Sequence, residues 1–304
     1  MTPDAPLPHR GGMTAGGFLA FLLVQSMAAA PAAVPLAFDL TPQGAIIVPV
    51  TVNGCGPFRF LLDTGSNTSV ISENLAADLG ARIVAKTTLV SASGQKDALV
   101  ARIEHLAMGR VTATGVLMTL ISPDALKMPD VVASGHSVHG IIGQDVLATL
   151  RYTIDYRQQT IVWRDEASGV PPGAAPVELE AHDNRFLALL PQDRQVLRLV
   201  PDSGAERLVL FEGVDRRQPR VTLAGDPVGL SSLTGTRAAR RAVVHGLRVG
   251  SAMLIDLPAV VIRPEDGAQA DGLLPLHIFA RVTINGPERQ MFVEGPLRET
   301  GLMR

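Results

Sequence analysis

Short apolar stretches separated by glycine-rich or polar turns recur along the chain from residue 45 onward. Residues 45–52 and 58–62 are two such stretches, joined by the turn Asn53-Gly54-Cys55-Gly56-Pro57. Stretches of this length between turn residues are typical of β-strands, so the pair predicts a β-hairpin. Short helices are predicted only at 73–79 and 145–150, which favours an all-β fold class. Further strands are predicted at 87–90, 98–103, 103–108, 113–122, 152–156 and 160–163.

The pattern of the first half begins again after a change of composition at residues 165–182. Ser168-Gly169-Val170-Pro171-Pro172-Gly173 within this segment is typical of a linker. Such internal repetition predicts two related lobes. Five blocks match in the same order: 62–66 with 201–205, 90–95 with 230–236, 106–109 with 247–250, 139–143 with 271–275, and 151–155 with 281–285. The predicted organisation is a first lobe at 40–164, a linker at 165–182, a second, more divergent lobe at 183–296, and a tail at 297–304.

The N-terminal segment predicts export. Arg10 precedes the apolar run 18–24, and the small residues at 28–33 fit a cleavage site, so residues 1–33 are predicted to be a signal peptide. We expect a periplasmic or secreted protein. The alternative is an inner-membrane anchor, because the broader apolar stretch to Phe38 is long enough to span a bilayer if Gln25, Pro31 and Pro35 are tolerated.

Composition excludes several classes of protein. A net charge of -2 supplies no basic field for nucleic acid, and an aromatic content of 4% supplies no base-stacking platform. The single cysteine, Cys55, excludes an intramolecular disulfide. His136 and His139 offer two metal ligands, but no further histidine or cysteine nearby completes a site, so we predict no metal. With 304 residues, the chain is long enough for two cores of about 120 residues each.

One acidic residue stands where a buried strand ends. Asp63 follows the apolar residues 60–62, and a carboxylate in that position must be hydrogen-bonded, paired or protonated. Gly65 permits a tight turn, and the hydroxyls of Thr64 and Ser66 are able to hold the loop or to donate to the carboxylate. These residue types fit a positioned acid, although Asp-Thr-Gly alone is also an ordinary turn.

The sequence around Asp63 resembles that of the retropepsin and pepsin group of aspartic proteases. The resemblance rests on the apolar-apolar-Asp-Thr-Gly-Ser pattern at 61–66, the later Gly140-Ile141-Ile142-Gly143, and the second loop at 201–205; it covers roughly residues 40–296. It implies a bilobal acid-protease fold of two pseudo-symmetric, barrel-like lobes. The catalytic pair would be Asp63 and Asp202. The resemblance also implies loop-supporting roles for Thr64, Gly65, Ser66, Ser203 and Gly204, and flap or substrate-binding roles for Ser91, Ser93, Gly94, Ser232, Thr234 and Gly235.

The chemistry implied by this resemblance is that of an aspartic endopeptidase. Two adjacent carboxyl groups share one proton, as in aspartic proteases generally, and activate a water molecule between them. No cofactor and no metal take part. The expected partner is a peptide or protein substrate bound in extended form, not a nucleic acid. A monomer is favoured, and membrane contact is expected only if the N-terminal segment is retained.

The second lobe departs from the family pattern at two prolines. Pro201 precedes Asp202 and removes a strand N–H, and Pro275 replaces the glycine equivalent to Gly143. Two alternatives therefore stay open. One is a non-catalytic peptide-binding or scaffold protein with a degenerate second lobe; the other is a peptidase active only as a homodimer of first lobes.

Overall fold

The computed structural model describes residues 34–91, 94–164, 174–193, 195–214, 221–223, 225, 227–232, 235–264 and 268–297, with only the backbone for those within 89–96 and 231–236. The predicted signal peptide and residues 298–304 of the predicted tail lie outside this part. Among the helices described, none combines the length and the apolar character needed to cross a membrane.

The first lobe is built mainly from strands. Its helices are α1 (Glu73–Asp78), α2 (Pro129–Ala133), α3 (Gln144–Leu147) and a 3₁₀ turn (Pro123–Leu126). Ser72 caps α1, since its side chain accepts a hydrogen bond from Leu75 N at 3.2 Å. The strands are β1 (Leu36–Ala37), β2 (Asp39–Leu40), β3 (Ile46–Val52), β4 (Cys55–Leu62), β5 (Val70–Ser72), β6 (Arg82–Ser91), β7 (Gly94–Met108), β8 (Val111–Ile121), β9 (Gly140–Ile142), β10 (Arg151–Asp155) and β11 (Thr160–Arg164).

The second lobe repeats this plan and has a 3₁₀ turn (Leu276–Ile278) between its last strands. Its strands are β12 (Val177–His182), β13 (Arg185–Pro191), β14 (Val196–Asp202), β15 (Leu208–Phe211), β16 (Val221–Leu223), β17 (Val228–Ser232), β18 (Gly235–Val244), β19 (Leu247–Val249), β20 (Ala252–Leu254), β21 (Leu257–Ile262), β22 (Gly272–Pro275), β23 (Phe279–Asn285) and β24 (Gln290–Pro296). With 58% strand and 10% helix, the all-β fold class is confirmed.

The structure corrects three boundaries. The predicted linker at 165–182 ends earlier, because β12 occupies Val177–His182 and pairs with β13 and β24. Its buried residues Val177 and Leu179 alternate with exposed Glu178, as expected for a strand with one buried face. The 3₁₀ turn and α2 lie within 123–133, where no helix was predicted, and the two strands predicted at 98–108 are one strand, β7.

Strand pairing brings each aspartate to the end of a central strand. In the first lobe β4 runs parallel to β9, and Asp63 N donates to Ile142 O at 2.9 Å. In the second lobe β14 runs parallel to β22, with Asp202 opposite Pro275. Both β9 and β22 pair on their other side with the strand that follows the aspartate loop, β5 or β15. In each lobe, one strand (β9 or β22) therefore lies between the strand that precedes the aspartate loop and the strand that follows it.

Close backbone packing in this arrangement depends on Gly272. A Cβ built on Gly272 lies 1.9 Å from Val209 O, so a side chain there must displace strand β15. We expect Gly272→Ala to lower the free energy of unfolding by roughly 2 kcal/mol more than Gly213→Ala does. Gly213 is the matched control, because it also has positive φ but nothing within 4 Å of its Cβ position. If urea denaturation gives equal losses of unfolding free energy for the two variants, the close contact with β15 does not destabilise Gly272→Ala.

The two lobes share a six-stranded antiparallel part of a larger sheet, in which the strand order is β1-β11-β10-β23-β24-β12. Strands β10 and β23 pair at its centre, where Thr153 lies opposite Thr283 and the two hydroxyl oxygens are 2.9 Å apart. Arg151 lies opposite Asn285, and Asp155 lies opposite Arg281. The register is symmetric about the threonine pair: each residue of β10 lies as far from this pair as its equivalent in β23 does, on the opposite side.

Candidate active site

The two aspartate loops hold their carboxyl groups in a similar way. Asp63 Oδ1 accepts hydrogen bonds from the backbone N–H of Gly65 at 2.9 Å and of Ser66 at 3.1 Å. Asp202 Oδ1 accepts one from Gly204 N at 2.8 Å. In each loop the glycine two residues after the acid supplies a donor, and this fixes the orientation of the carboxyl group.

Hydroxyl groups cross between the loops and tie them together. Thr64 Oγ1 donates to Pro201 O at 2.8 Å and accepts from Ser203 N at 3.0 Å. Ser203 Oγ donates to Leu62 O at 2.6 Å and accepts from Thr64 N at 3.0 Å. All four bonds are buried, and both side chains are inaccessible to solvent, so the relative position of the loops is rigidly set.

This bracing brings the carboxyl groups of Asp63 and Asp202 into direct hydrogen-bond contact. Each carboxyl group also faces the glycine of the opposite loop. A Cβ built on Gly65 lies 2.4 Å from Asp202 Cγ, and one built on Gly204 lies 3.1 Å from Asp63 Cγ. The two acids predicted from separate halves of the sequence thus meet within one chain.

The surroundings of the pair affect the pKa of each acid differently. Burial raises the pKa of Asp63, although the hydrogen bonds from Gly65 and Ser66 and the positive charge of Arg185 oppose that rise. Burial, and then the negative charge of Asp63, raise the pKa of Asp202 well above its ordinary value. Asp202 is also the more enclosed side chain, with 8% of its surface exposed. The shared proton therefore belongs mainly to Asp202.

The raised pKa of Asp202 predicts a pH-dependent stability. Because the folded protein holds this proton more tightly than the unfolded chain, the stabilisation is complete at low pH and is lost as pH rises through the raised pKa. Asp202→Asn cannot ionise. We expect its free energy of unfolding to gain on that of the parent by about 1.4 kcal/mol per pH unit across the range in which the unfolded chain has lost this proton and the folded parent still holds it. Urea denaturation from about pH 4 to pH 7 measures this gain; a constant difference between the two proteins would contradict it.

Pro201 shortens one strand ladder and leaves the site intact. In the first lobe β3 and β4 pair as far as Ile46 and Leu62, next to Asp63. In the second lobe β13 and β14 stop pairing at Ala188 and Leu199, before Pro201 is reached. The parallel pairing with β22 continues to Asp202. The missing N–H of Pro201 therefore affects the ladder with β13, while its carbonyl still accepts the bond from Thr64.

A polar network of the first lobe is replaced by apolar residues around Pro275. Gly143 N donates to Ser69 Oγ at 2.9 Å, and Ser69 Oγ donates to Asp145 Oδ1 at 2.6 Å. The strand registers place Leu208 in the second lobe where Ser69 stands in the first, and Leu208 is fully buried. Pro275 has no N–H to donate, and Leu208 has no oxygen to accept. The two changes suit each other, because a residue without a donor faces a residue without an acceptor.

Sequence reasoning missed several residues that support the Asp63 loop. Gln144 Nε2 donates to Thr64 O at 3.1 Å, and Asn184 Nδ2 reaches from the second lobe to donate to Asn67 O at 2.7 Å. Arg185 beside Asn184 is the positive charge that acts on Asp63. The position of Gln144 directly after Gly143 was a usable signal, whereas nothing in the sequence links residues 184 and 185 to Asp63.

Both predicted flaps are β-hairpins in the structure. Ser91 lies opposite Gly94 at the end of the β6–β7 hairpin, and Ser232 lies opposite Gly235 at the end of the β17–β18 hairpin. Ser93 and Thr234 lie outside the described residues, as do the side chains of Ser91 and Ser232. The flap and substrate-binding roles of these residues stay predictions.

The two histidines considered as metal ligands have other neighbours. His136 Nε2 lies 3.6 Å from Asp39 Oδ2, and the ring of His139 packs against Phe58 with 5.5 Å between ring centroids. Within the described part of the chain, no group of three or more His, Cys, Asp or Glu side chains is arranged to hold a metal ion.

Fold and site together define a protein with two tandem retropepsin-like lobes. A family model described as aspartyl protease matches residues 48–146 and 192–277, which together make up more than half of the chain and include both aspartate loops. The chain therefore belongs to the aspartyl protease family.

Comparison with individual proteins adds little to this assignment. Among solved structures, a retropepsin-like aspartic protease from Rickettsia conorii matches with a TM-score of 0.31 and 15% sequence identity, covering 43% of this chain and 89% of that one. No protein in a set with curated functions matches the chain.

Proposed function

We propose that the protein is an aspartic endopeptidase whose single active site combines Asp63 from the first lobe with Asp202 from the second. The observation that carries the proposal is the direct contact of the two carboxyl groups, held by the crossed hydrogen bonds of Thr64 and Ser203. Membership of the aspartyl protease family supports it. Because one chain supplies both acids, a homodimer of first lobes is not needed.

The asymmetry of the pair assigns a role to each acid. Asp63 is the better carboxylate, because two backbone N–H groups and Arg185 stabilise its negative charge. In the proposed reaction Asp63 takes a proton from water while Asp202 gives its proton to the oxygen of the scissile carbonyl. The C–O bond formed by water gives a tetrahedral diol. Asp63 then gives its proton to the amide nitrogen while Asp202 takes a proton from one hydroxyl of the diol. The C–N bond breaks to release a carboxylic acid and an amine, and the pair again holds one proton.

The two hairpins offer a mode of substrate binding. An extended peptide pairs its backbone with exposed strand edges, and the β6–β7 and β17–β18 hairpins are the edges that the family resemblance assigns to this role. We further propose that the protein acts as a monomer after export, with peptides or unfolded proteins as substrates.

Hydrolysis of a mixed peptide library tests the proposal, with pH varied from about 3 to 7 because the pair must share one proton. Mass in solution is measured on the same active sample. Cleavage by a monomer is the expected result. Cleavage only by a dimer favours a site made from two first lobes, and binding without cleavage by the folded protein favours a peptide-binding protein.

A further inference from the structure

Three polar side chains away from the aspartate pair are joined by hydrogen bonds in the second lobe. Thr222 belongs to β16, His245 follows the end of β18, and Asp256 precedes β21. His245 Nδ1 and Asp256 Oδ1 are 2.5 Å apart, and His245 Nε2 lies 3.0 Å from Thr222 Oγ1. The imidazole is therefore held between a carboxylate and a hydroxyl, one at each ring nitrogen.

Strand pairing accounts for the meeting of these three residues. In the sheet, β18 lies between β16 and β21. The β18–β21 register, continued by one residue past its last pair, places His245 opposite Asp256. In the β16–β18 register, Thr222 lies opposite Val243, two residues before His245. Because residues two apart on a strand point to the same face, all three side chains lie on one face of the sheet.

The hydrogen bonds define the role that each group is able to play. A carboxylate only accepts, so Asp256 accepts the proton of His245 Nδ1, and the neutral imidazole carries its lone pair on Nε2. The hydroxyl of Thr222 then donates to Nε2. A hydroxyl that donates to an imidazole held by a carboxylate is the arrangement of a nucleophile, a general base and an orienting acid.

The position of Thr222 leaves it open to a reactant. Within the part of the chain that the structure describes, β16 is the outermost strand of its sheet, and Thr222 is exposed. An antiparallel edge strand points its N–H groups alternately into the ladder and away from it. An outward N–H therefore belongs either to Thr222 or to Leu223 directly after it. Acyl transfer needs a donor in this place, because negative charge develops on the carbonyl oxygen that the hydroxyl attacks.

The first lobe supplies an internal comparison. The pairing of β7 with β8 corresponds to that of β18 with β21, and its register puts Glu104 where His245 stands. The same register puts Gly115 where Asp256 stands, and glycine has no side chain to orient a base. The arrangement of Thr222, His245 and Asp256 thus comes from the sequence of the second lobe and is not part of the plan that both lobes share.

We propose that Thr222, His245 and Asp256 form a second reactive site, which transfers acyl groups from small activated esters to the hydroxyl of Thr222. Thr222 Oγ attacks the ester carbonyl while His245 Nε2 takes the hydroxyl proton. His245 then gives that proton to the oxygen of the leaving alcohol as the ester C–O bond breaks. Asp256 stabilises the imidazolium that exists between these steps. Water releases the acyl group as a carboxylic acid by the same sequence and restores the hydroxyl.

Hydrolysis of p-nitrophenyl acetate by the full-length protein tests this site. We expect release of p-nitrophenol in proportion to the protein, and an acetyl group on Thr222 in peptide mass spectrometry of the quenched reaction. Thr222→Val and His245→Gln should each lower the rate by at least about tenfold, whereas Thr222→Ser should retain it. Asp256→Asn should also lower the rate, by about tenfold, because the imidazole loses its fixed tautomer.

Two matched controls separate this site from other groups that react with esters. Thr112→Val removes another exposed strand threonine. His136→Gln removes another histidine beside an aspartate, with Nε2 3.6 Å from Asp39 Oδ2. Both variants should hydrolyse the ester at the rate of the parent protein. The unfolding temperature and the emission of Trp163, the only tryptophan of the chain, report whether each variant has folded.

Any of four results would overturn the proposal. They are a rate no higher than that in buffer, an unchanged rate in Thr222→Val, an acetyl group on other residues but not on Thr222, or an equal loss of rate in either control. The assay contains no peptide substrate, so its outcome is independent of the proposed endopeptidase activity.

Discussion

Asp63→Asn and Asp202→Asn should each lower the rate of peptide hydrolysis by about 10³-fold or more. The reaction needs one carboxylate to accept a proton from water and one carboxylic acid to donate a proton to the carbonyl oxygen. An amide at either position removes one of these functions. Since the two side chains come from different lobes, both variants should be equally impaired, and the loss should fall on kcat.

The measurement is kcat and KM on one peptide found in the library, with Asp78→Asn as the control. Asp78 is an exposed carboxylate at the end of α1, so its replacement should leave the rate unchanged. Emission of Trp163 and the unfolding temperature report whether each variant has folded. A loss confined to Asp63→Asn would contradict the single-chain pair and favour a site made from two first lobes.

Gly65→Ala should lower kcat by about 10²-fold, because the new methyl group occupies the place of the Asp202 carboxyl group. Its Cβ would lie 2.4 Å from Asp202 Cγ and 2.5 Å from Asp202 Oδ2. Asp202 is buried, and its loop is held by Ser203, so the carboxyl group must rotate or shift away from Asp63. The loss of kcat would then come from the displaced carboxyl group of Asp202, because residue 65 itself carries no acidic group.

Gly204→Ala provides the matched comparison from the other loop. There the Cβ would lie 3.1 Å from Asp63 Cγ, a distance that a small adjustment relieves, and we expect a clearly smaller loss of kcat. Equal activity of Gly65→Ala and the parent protein would show that the carboxyl group of Asp202 is free to move. Equal losses of kcat in the two variants would show that the different Cβ distances in the two loops do not affect catalysis.

Local sequence was enough to predict the main features of the fold and the site. A few adjacent residues are enough to predict the strand before Asp63, the turn after it and the repeat around Asp202. The all-β class and the two-lobe plan could therefore be predicted. Strand β12 escaped prediction because its two buried residues, Val177 and Leu179, follow a run of prolines and glycines. Its stability comes from pairing with β13, which follows it in sequence, and with β24, which lies more than a hundred residues further along the chain.

Other features depend on geometry that a linear pattern does not contain. The sequence does not tell which neighbouring strand the missing N–H of Pro201 would have faced. The approach of Arg185 to Asp63 and the meeting of Thr222 with His245 both depend on strand register. The pairing of Thr153 with Thr283, which joins the two lobes, is likewise visible only in three dimensions.

The symmetric register around Thr153 and Thr283 has an evolutionary consequence. A strand that pairs with its own equivalent in this way would serve equally well between two separate copies of an ancestral lobe. In such a pair every mutation is duplicated, so proline at position 275 would be introduced on both sides at once. In a single chain that constraint is absent. Each half is then free to change alone, so one aspartate is able to keep a polar support that its counterpart lacks.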